Sequence, residues 1–176
     1  MSRQVAVVTG ARGVVGRAVI ARLIDDGYAV VAHSREAVLD LPAGVVSLTG
    51  DLAHPEAAEG VRESVQRVDL LVNNAASQVT GALDALTGSD WADMLGATFL
   101  SAVQLTMALR PVMSVGASVV NVSSIEAQAA FPRHAHAPPR ATRNYASAGG
   151  SSSCGHPKAF WQACVLQVYC NKFLFI

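Results

Sequence analysis

No acidic residue follows Glu126 in this chain, no cysteine precedes Cys154, and only 15% of the residues are charged. Aromatic residues make up just 6%, so the core must be largely aliphatic, and the apolar share of 51% supplies it. Disorder needs the opposite balance, few apolar and many charged residues, and is excluded. No apolar run reaches the length of roughly 18 residues that marks a membrane-spanning helix, so none is expected. Basic and acidic residues stand at 13 each, which argues against a nucleic-acid footprint and against a polybasic membrane patch. The amino terminus enters Arg3-Gln4-Val5-Ala6-Val7-Val8 without the apolar stretch and cleavage site of a secretory signal, and a cytoplasmic location is expected. The three cysteines (Cys154, Cys164, Cys170) fit neither a disulfide framework nor a spaced zinc site, so reduced thiols and no metal are expected.

The charge balance hides a break. Residues 1–126 hold 8 basic and 13 acidic residues, a net −5, whereas residues 127–176 hold 5 basic residues and no acid, a net +5. The same final stretch contains all the cysteines, Pro138-Pro139 and the run Gly149-Gly150-Ser151-Ser152-Ser153. The organisation expected is one domain over residues 1–133, followed by an atypical tail, residues 134–176, that is not an independent domain.

Short β-branched runs alternate with helical spacing along the body. Val5-Ala6-Val7-Val8 reads as a doubly buried strand. Val15, Val19, Leu23 and Ile24 recur at helical spacing up to Gly27, a stop signal. Further strands are expected at 28–32, 45–48, 69–73 and 117–122, with no more than a short helix over 35–41. Helices are expected from Pro55 to about Val65, where proline suits the first turn, and from Trp91 to about Leu109. The latter places Leu95, Phe99, Ala102 or Val103, Thr106 and Leu109 on one stripe. The alternation predicts a Rossmann-type, doubly wound parallel sheet in three αβα layers, incomplete at the carboxyl-terminal side.

Thr9-Gly10-Ala11-Arg12-Gly13-Val14-Val15-Gly16 lies between the first strand and the first helix. A tight turn, close backbone approach to a pyrophosphate and tight helix–strand packing each require a residue without Cβ. The helix N-terminus adds unpaired N–H groups and a partial positive charge. An ordinary glycine-rich turn is the plainer alternative, but strand, turn and helix stand in the order that dinucleotide binding needs. An acid at the end of the second strand would accept from an unmodified ribose. Here His33-Ser34-Arg35 stands instead, with no carboxylate before Glu36. Arg12 and Arg35 suit a 2′-phosphate, so NADP(H) is preferred; as solvated surface arginines they would leave NAD(H) equally possible.

Four features in order resemble the short-chain dehydrogenase/reductase family. They are Thr9-Gly10-x-x-Gly13-x-x-Gly16, Asp51-Leu52, Asn73-Asn74-Ala75-Ala76 and Asn121-Val122-Ser123-Ser124, and they span roughly residues 3–133. The resemblance implies that Asp51 contacts the adenine, that the Asn74-Ala75 backbone lies by the nicotinamide ribose, and that Ser124 positions a substrate carbonyl. It also implies a small-molecule substrate and self-association through the Trp91–Leu109 helix. Several positions depart from the family pattern. Ala76 replaces a glycine, and Thr98 stands where the family carries a catalytic asparagine. The family's tyrosine is best matched by Tyr145, but the position four residues on is Gly149 and not lysine. That lysine would lower the phenol's pKa from one helical turn away.

Two explanations remain for the tail. A short insertion over about 137–144 displaces an altered motif, or the chain after about His136 has left the family. The acid-free composition and the lack of a legible sixth strand favour the second, and residues 134–176 are expected neither to complete the sheet nor to build an active site. Three functions follow: an NADP(H)-dependent oxidoreductase acting on a small carbonyl, alcohol or imine, a non-catalytic dinucleotide-binding module, or an inactive truncated product.

Overall fold

The computed structural model describes residues 3–38, 40–79 and 82–124, together with the backbone strand Gln162–Gln167. In chain order the elements are β1 (Val5–Thr9), α1 (Val14–Asp25), β2 (Ala29–Ser34), β3 (Val46–Thr49), α2 (Pro55–Glu63), β4 (Val68–Asn73), α3 (Gly88–Leu95), α4 (Ser101–Leu109), β5 (Met113–Ser123) and β6 (Gln162–Gln167). A wide π-type turn over Gly96–Leu100 joins α3 directly to α4. The strands form one parallel sheet in the order β3-β2-β1-β4-β5-β6. Order reverses between β1 and β4, which places the ligand crevice at their carboxyl ends.

Alternation along each strand divides the core in two. Val7, Val31, Leu71 and Val119 face α2 and α4, where Val61, Leu105 and Leu109 complete one cluster. Ala6, Val8, Val30, Ala32 and Val72 face α1, where Ile20 and Leu23 complete the other. Each fully buried valine or leucine contributes about 1.5–3 kcal/mol. Helix α1 ends where Gly27 takes φ +90°, with Gly27 N donating to Ile24 O and Tyr28 N to Leu23 O, both at 2.9 Å, a glycine-closed helix end.

Three expectations need correction. A sixth strand exists: β6 pairs in parallel with β5 from Ser118↔Gln162 to Ser123↔Gln167. Residues 162–167 therefore do extend the sheet, because β5 offers a row of backbone groups to pair and the 163–166 segment, Ala-Cys-Val-Leu, is a short apolar run suited to it. The long helix begins at Gly88, not Trp91, since Thr87 and Asp90 close a reciprocal capping box. Its expected single stripe is also broken, because the wide turn shifts the phase of everything after it. Leu109 is buried in the sheet core while Leu95, Leu100 and Met107 are the exposed apolar residues. The continuous helix Gly88–Val112 is long and apolar enough to cross a membrane by length and composition alone, but Leu105 and Leu109 use that apolarity against the sheet.

Candidate dinucleotide site

Four strand ends meet at the crevice, and Thr9 ties two of them together. Its Oγ1 accepts from Asn74 N and Ala75 N, both at 2.9 Å. Asn74 Nδ2 returns a bond to Thr9 O at 3.0 Å. The turn after β1 is thereby locked to the turn after β4. Gly10 sits at φ +69°, and a Cβ there would stand 2.7 Å from Asn74 Nδ2 and 2.9 Å from Asn74 O. Glycine is required on both counts.

Gly16 is required by packing: a Cβ on it would lie 2.2 Å from Gly10 O. Gly13 differs, because its nearest neighbour would be Gly10 O at an ordinary 3.4 Å. Its open side is the helix N-terminus. Gly13 is the N-cap of α1, no side chain caps it, and no acid lies in the first turn. Arg12, Gly13 and Val14 are exposed there, Val14 at 88%. Unpaired N–H groups at the end of a 12-residue helix, with room for close approach, fit a pyrophosphate.

On the β2 side, Ser34 is buried and its Oγ donates to Glu36 O. Arg35 is exposed and has no ion-pair partner among the described residues. The sequence reading, which left Arg12 free of acids for a 2′-phosphate, needs correction: its guanidinium pairs with Glu36. The turn after Ser34 brings that carboxylate back over the phosphate loop, which the linear distance between the residues conceals. His33 is 2% exposed, and neither ring nitrogen has a hydrogen-bond partner among the described residues. Burial holds its pKa below the ordinary imidazole value, partly opposed by the charge of Asp51. Asp51 is exposed after β3, its Oδ1 accepting from Ala53 N at 2.9 Å, while Leu52 is buried.

On the β4–β5 side, Asn73 Nδ2 donates to Asn121 Oδ1 at 2.9 Å and to Thr106 Oγ1 at 3.3 Å. Asn73 Oδ1 is buried without a hydrogen-bond partner among the described residues. Asn73 also borders a cavity of about 50 Å³, walled in part by Thr98, Ser101, Asn121 and Ser123. Thr98 lies at the centre of the wide turn, and its Oγ1 accepts from Ser77 N at 3.3 Å. Ser124 follows β5 and is half-buried. Tyr145 lies outside the described residues.

The structure thus gathers Gly10, Gly13, Gly16, Asn74 and Ala75 at the switch point, with Ser34, Arg35 and Asp51 to one side and Ser124 to the other. Sequence reasoning missed the Thr9 lock, the Asn73–Asn121–Thr106 network and the wide turn. Only the pairing of Asn73 with Asn121 across neighbouring strands left a trace, as two asparagines at corresponding strand ends.

Such a crevice defines a dinucleotide-binding α/β domain. The chain matches the short chain dehydrogenase family over residues 4–136. It is 34% identical over 148 residues to "Dehydrogenase/reductase SDR family member 4" of Bos taurus, covering 75% of this chain and 53% of that protein. It is 28% identical over 130 residues to "3-ketodihydrosphingosine reductase" of Bacteroides thetaiotaomicron, covering 71% and 48%. Among solved structures, a short-chain dehydrogenase from Streptomyces avermitilis aligns with TM-score 0.77 and 26% identity over 95% of this chain and 65% of that one. The ligand-free aldohexose dehydrogenase of Thermoplasma acidophilum, at 20% identity, TM-score 0.79 and coverage of 95% and 66%, shares the fold. The chain belongs to the short-chain dehydrogenase/reductase family of NAD(P)-binding oxidoreductases. It spans about half the length of the curated relatives it matches.

Proposed function

We propose that this chain binds NADP(H) in preference to NAD(H) and serves hydride transfer with a small carbonyl, alcohol or imine substrate. The observation that carries the reading is the capless N-terminus of α1 beside Gly13, held by the Gly10 and Gly16 contacts. Arg35 supports the 2′-phosphate preference, since it faces solvent at the end of β2 with no ion-pair partner among the described residues. Arg12 contributes less, because Glu36 already engages it. Similarity to the 3-ketodihydrosphingosine reductase of Bacteroides thetaiotaomicron supports a carbonyl as substrate class.

When bound, the nicotinamide supplies or receives the hydride. Ser124 holds the substrate oxygen through its hydroxyl, and Tyr145 is the proton donor in this reading. Gly149, where the family's lysine stands, favours a second reading in which the chain binds cofactor without turnover. A reducing, cytoplasmic setting is part of the same proposal, supported by three cysteines that fit neither a disulfide framework nor a zinc site.

Titration of protein fluorescence with NADPH and NADH tests the first claim. Arg35→Asp is expected to narrow the preference roughly tenfold or more, since a charge-assisted bond is worth about 1.5–3 kcal/mol. An unchanged ratio of dissociation constants would remove Arg35 from the site. NADPH oxidation against a panel of carbonyls separates the two readings: turnover lost in Tyr145→Phe supports the first, and tight binding without turnover supports the second.

A further inference from the structure

The continuous helix from Gly88 to Leu109 touches both flanks of the cleft. In this strand order the carboxyl ends of β2 and β3 receive the adenosine half of a dinucleotide, and those of β4 and β5 receive the other half. On the first flank, the loop leaving β3 runs through Asp51, Leu52 and Ala53. Gln104 Nε2 donates to Ala53 O at 2.9 Å. Gly96 packs so closely that a Cβ on it would stand 2.9 Å from Ala53 Cβ. On the second flank, Thr98 accepts from Ser77 N at 3.3 Å, in the segment leaving β4. Two loops from opposite sides of the switch point are therefore pinned to one helix.

We propose that Gln104 is a positioning residue for cofactor binding, fixing the adenosine-side loop through Ala53 while Thr98 fixes the nicotinamide-side loop through Ser77. The inference rests on the cofactor reading above. Gln104 is a poor device for stability alone, because its Oε1 is buried with no hydrogen-bond partner among the described residues. An amide with one end unsatisfied gives back in desolvation much of what its other end gains. A methionine of similar length loses the bond to Ala53 and relieves the unsatisfied oxygen, so its cost should fall on the loop and not on folding.

Calorimetric titration of the wild-type chain, Gln104→Met and Thr98→Val tests this, with thermal unfolding recorded for each. The ligands are the dinucleotide that binds more tightly and its adenosine fragment, 2′,5′-ADP for NADPH or 5′-AMP for NADH. Gln104→Met is expected to weaken fragment and dinucleotide by the same factor, about fivefold, the effect of one hydrogen bond, with Tm unchanged. Thr98→Val is expected to weaken the dinucleotide and leave the fragment untouched. Unaltered fragment affinity in Gln104→Met overturns the proposal. So does a loss of both ligands that accompanies a lowered Tm, or a Thr98→Val that weakens the fragment equally. A wild-type chain that binds neither ligand overturns the cofactor reading, and this inference with it.

Discussion

A buried imidazole whose ring nitrogens find no partner among the described residues makes folding depend on pH. His33 is held neutral because burial lowers its pKa, with Asp51 opposing in part. The unfolded chain then binds the proton more readily, so stability is full above the ordinary value of 6.5 and declines as pH falls below it. His33→Leu is expected to flatten that decline in Tm measured from pH 7.5 downward, with little loss at pH 7.5, since no hydrogen bond is removed. A decline as steep as in the wild type would assign the acid sensitivity elsewhere. Asp69, at the far end of the sheet, also loses stability in acid, but over a lower pH range. Desolvation pushes its pKa up, but the bond from Val5 N and those from Arg67 and Ser114, with the Arg67 charge, outweigh it and leave the pKa lowered. Its Oδ2 accepts from Val5 N at 2.9 Å and its Oδ1 from Arg67 Nη2 at 2.6 Å. A depressed carboxylate stabilises above its ordinary pKa of 3.8 and loses that contribution as pH falls through the folded value. Asp69→Asn is expected to cost about 1.5–3 kcal/mol in urea unfolding at pH 7 and to narrow the gap to wild type at strongly acidic pH.

Between residue and sheet, the phosphate turn and the long helix carry separate roles. Gly16 meets Gly10 O so closely that a Cβ would stand 2.2 Å away, and backbone on both sides leaves nothing flexible to yield. Gly16→Val is expected to displace α1, lowering stability by several kcal/mol, on the order of the larger single-site losses, and abolishing dinucleotide binding. Gly13→Ala meets only an ordinary contact, so it is expected to fold normally and lose affinity alone; a stable Gly13→Ala with wild-type affinity would clear that site of any phosphate role. On the long helix, Leu95, Leu100 and Met107 are 38%, 42% and 70% exposed. Their exposure leaves room for the self-association that the family resemblance implies for this helix, in a family whose members often oligomerise. Met107→Glu is expected to shift sedimentation toward monomer without lowering Tm, whereas equal sedimentation of both proteins would place any interface elsewhere.

For the whole molecule, β6 decides whether the sheet has an open apolar edge. Its pairing along Ser118–Ser123 covers the backbone groups of β5. Removal of residues 161–176 is expected to leave that edge exposed, raising light scattering on heating and speeding amide exchange at Val119–Val122. Unchanged exchange there would mean that β6 adds nothing to the edge it pairs with.

The sequence by itself determined the alternating strands and helices, the parallel sheet and the glycine turn, because buried strands, amphipathic helices and φ-positive glycines leave periodic, local marks. Gly10 and Gly16 were legible as a pair because the turn between strand and helix spaces them regularly, as were the asparagines and serines closing β4 and β5. Local marks do not extend to contacts between distant segments. Glu36 folding back onto Arg12, Thr9 locking the turn after β4, and the wide turn that bends the helix stripe out of register arise only when strands are laid side by side. The strand at Gln162–Gln167 is the plainest case. Its central residues, 163–166, are apolar in the sequence, but no strand was legible there, because its identity as a strand came from the free edge of β5, a partner that only the tertiary structure supplies.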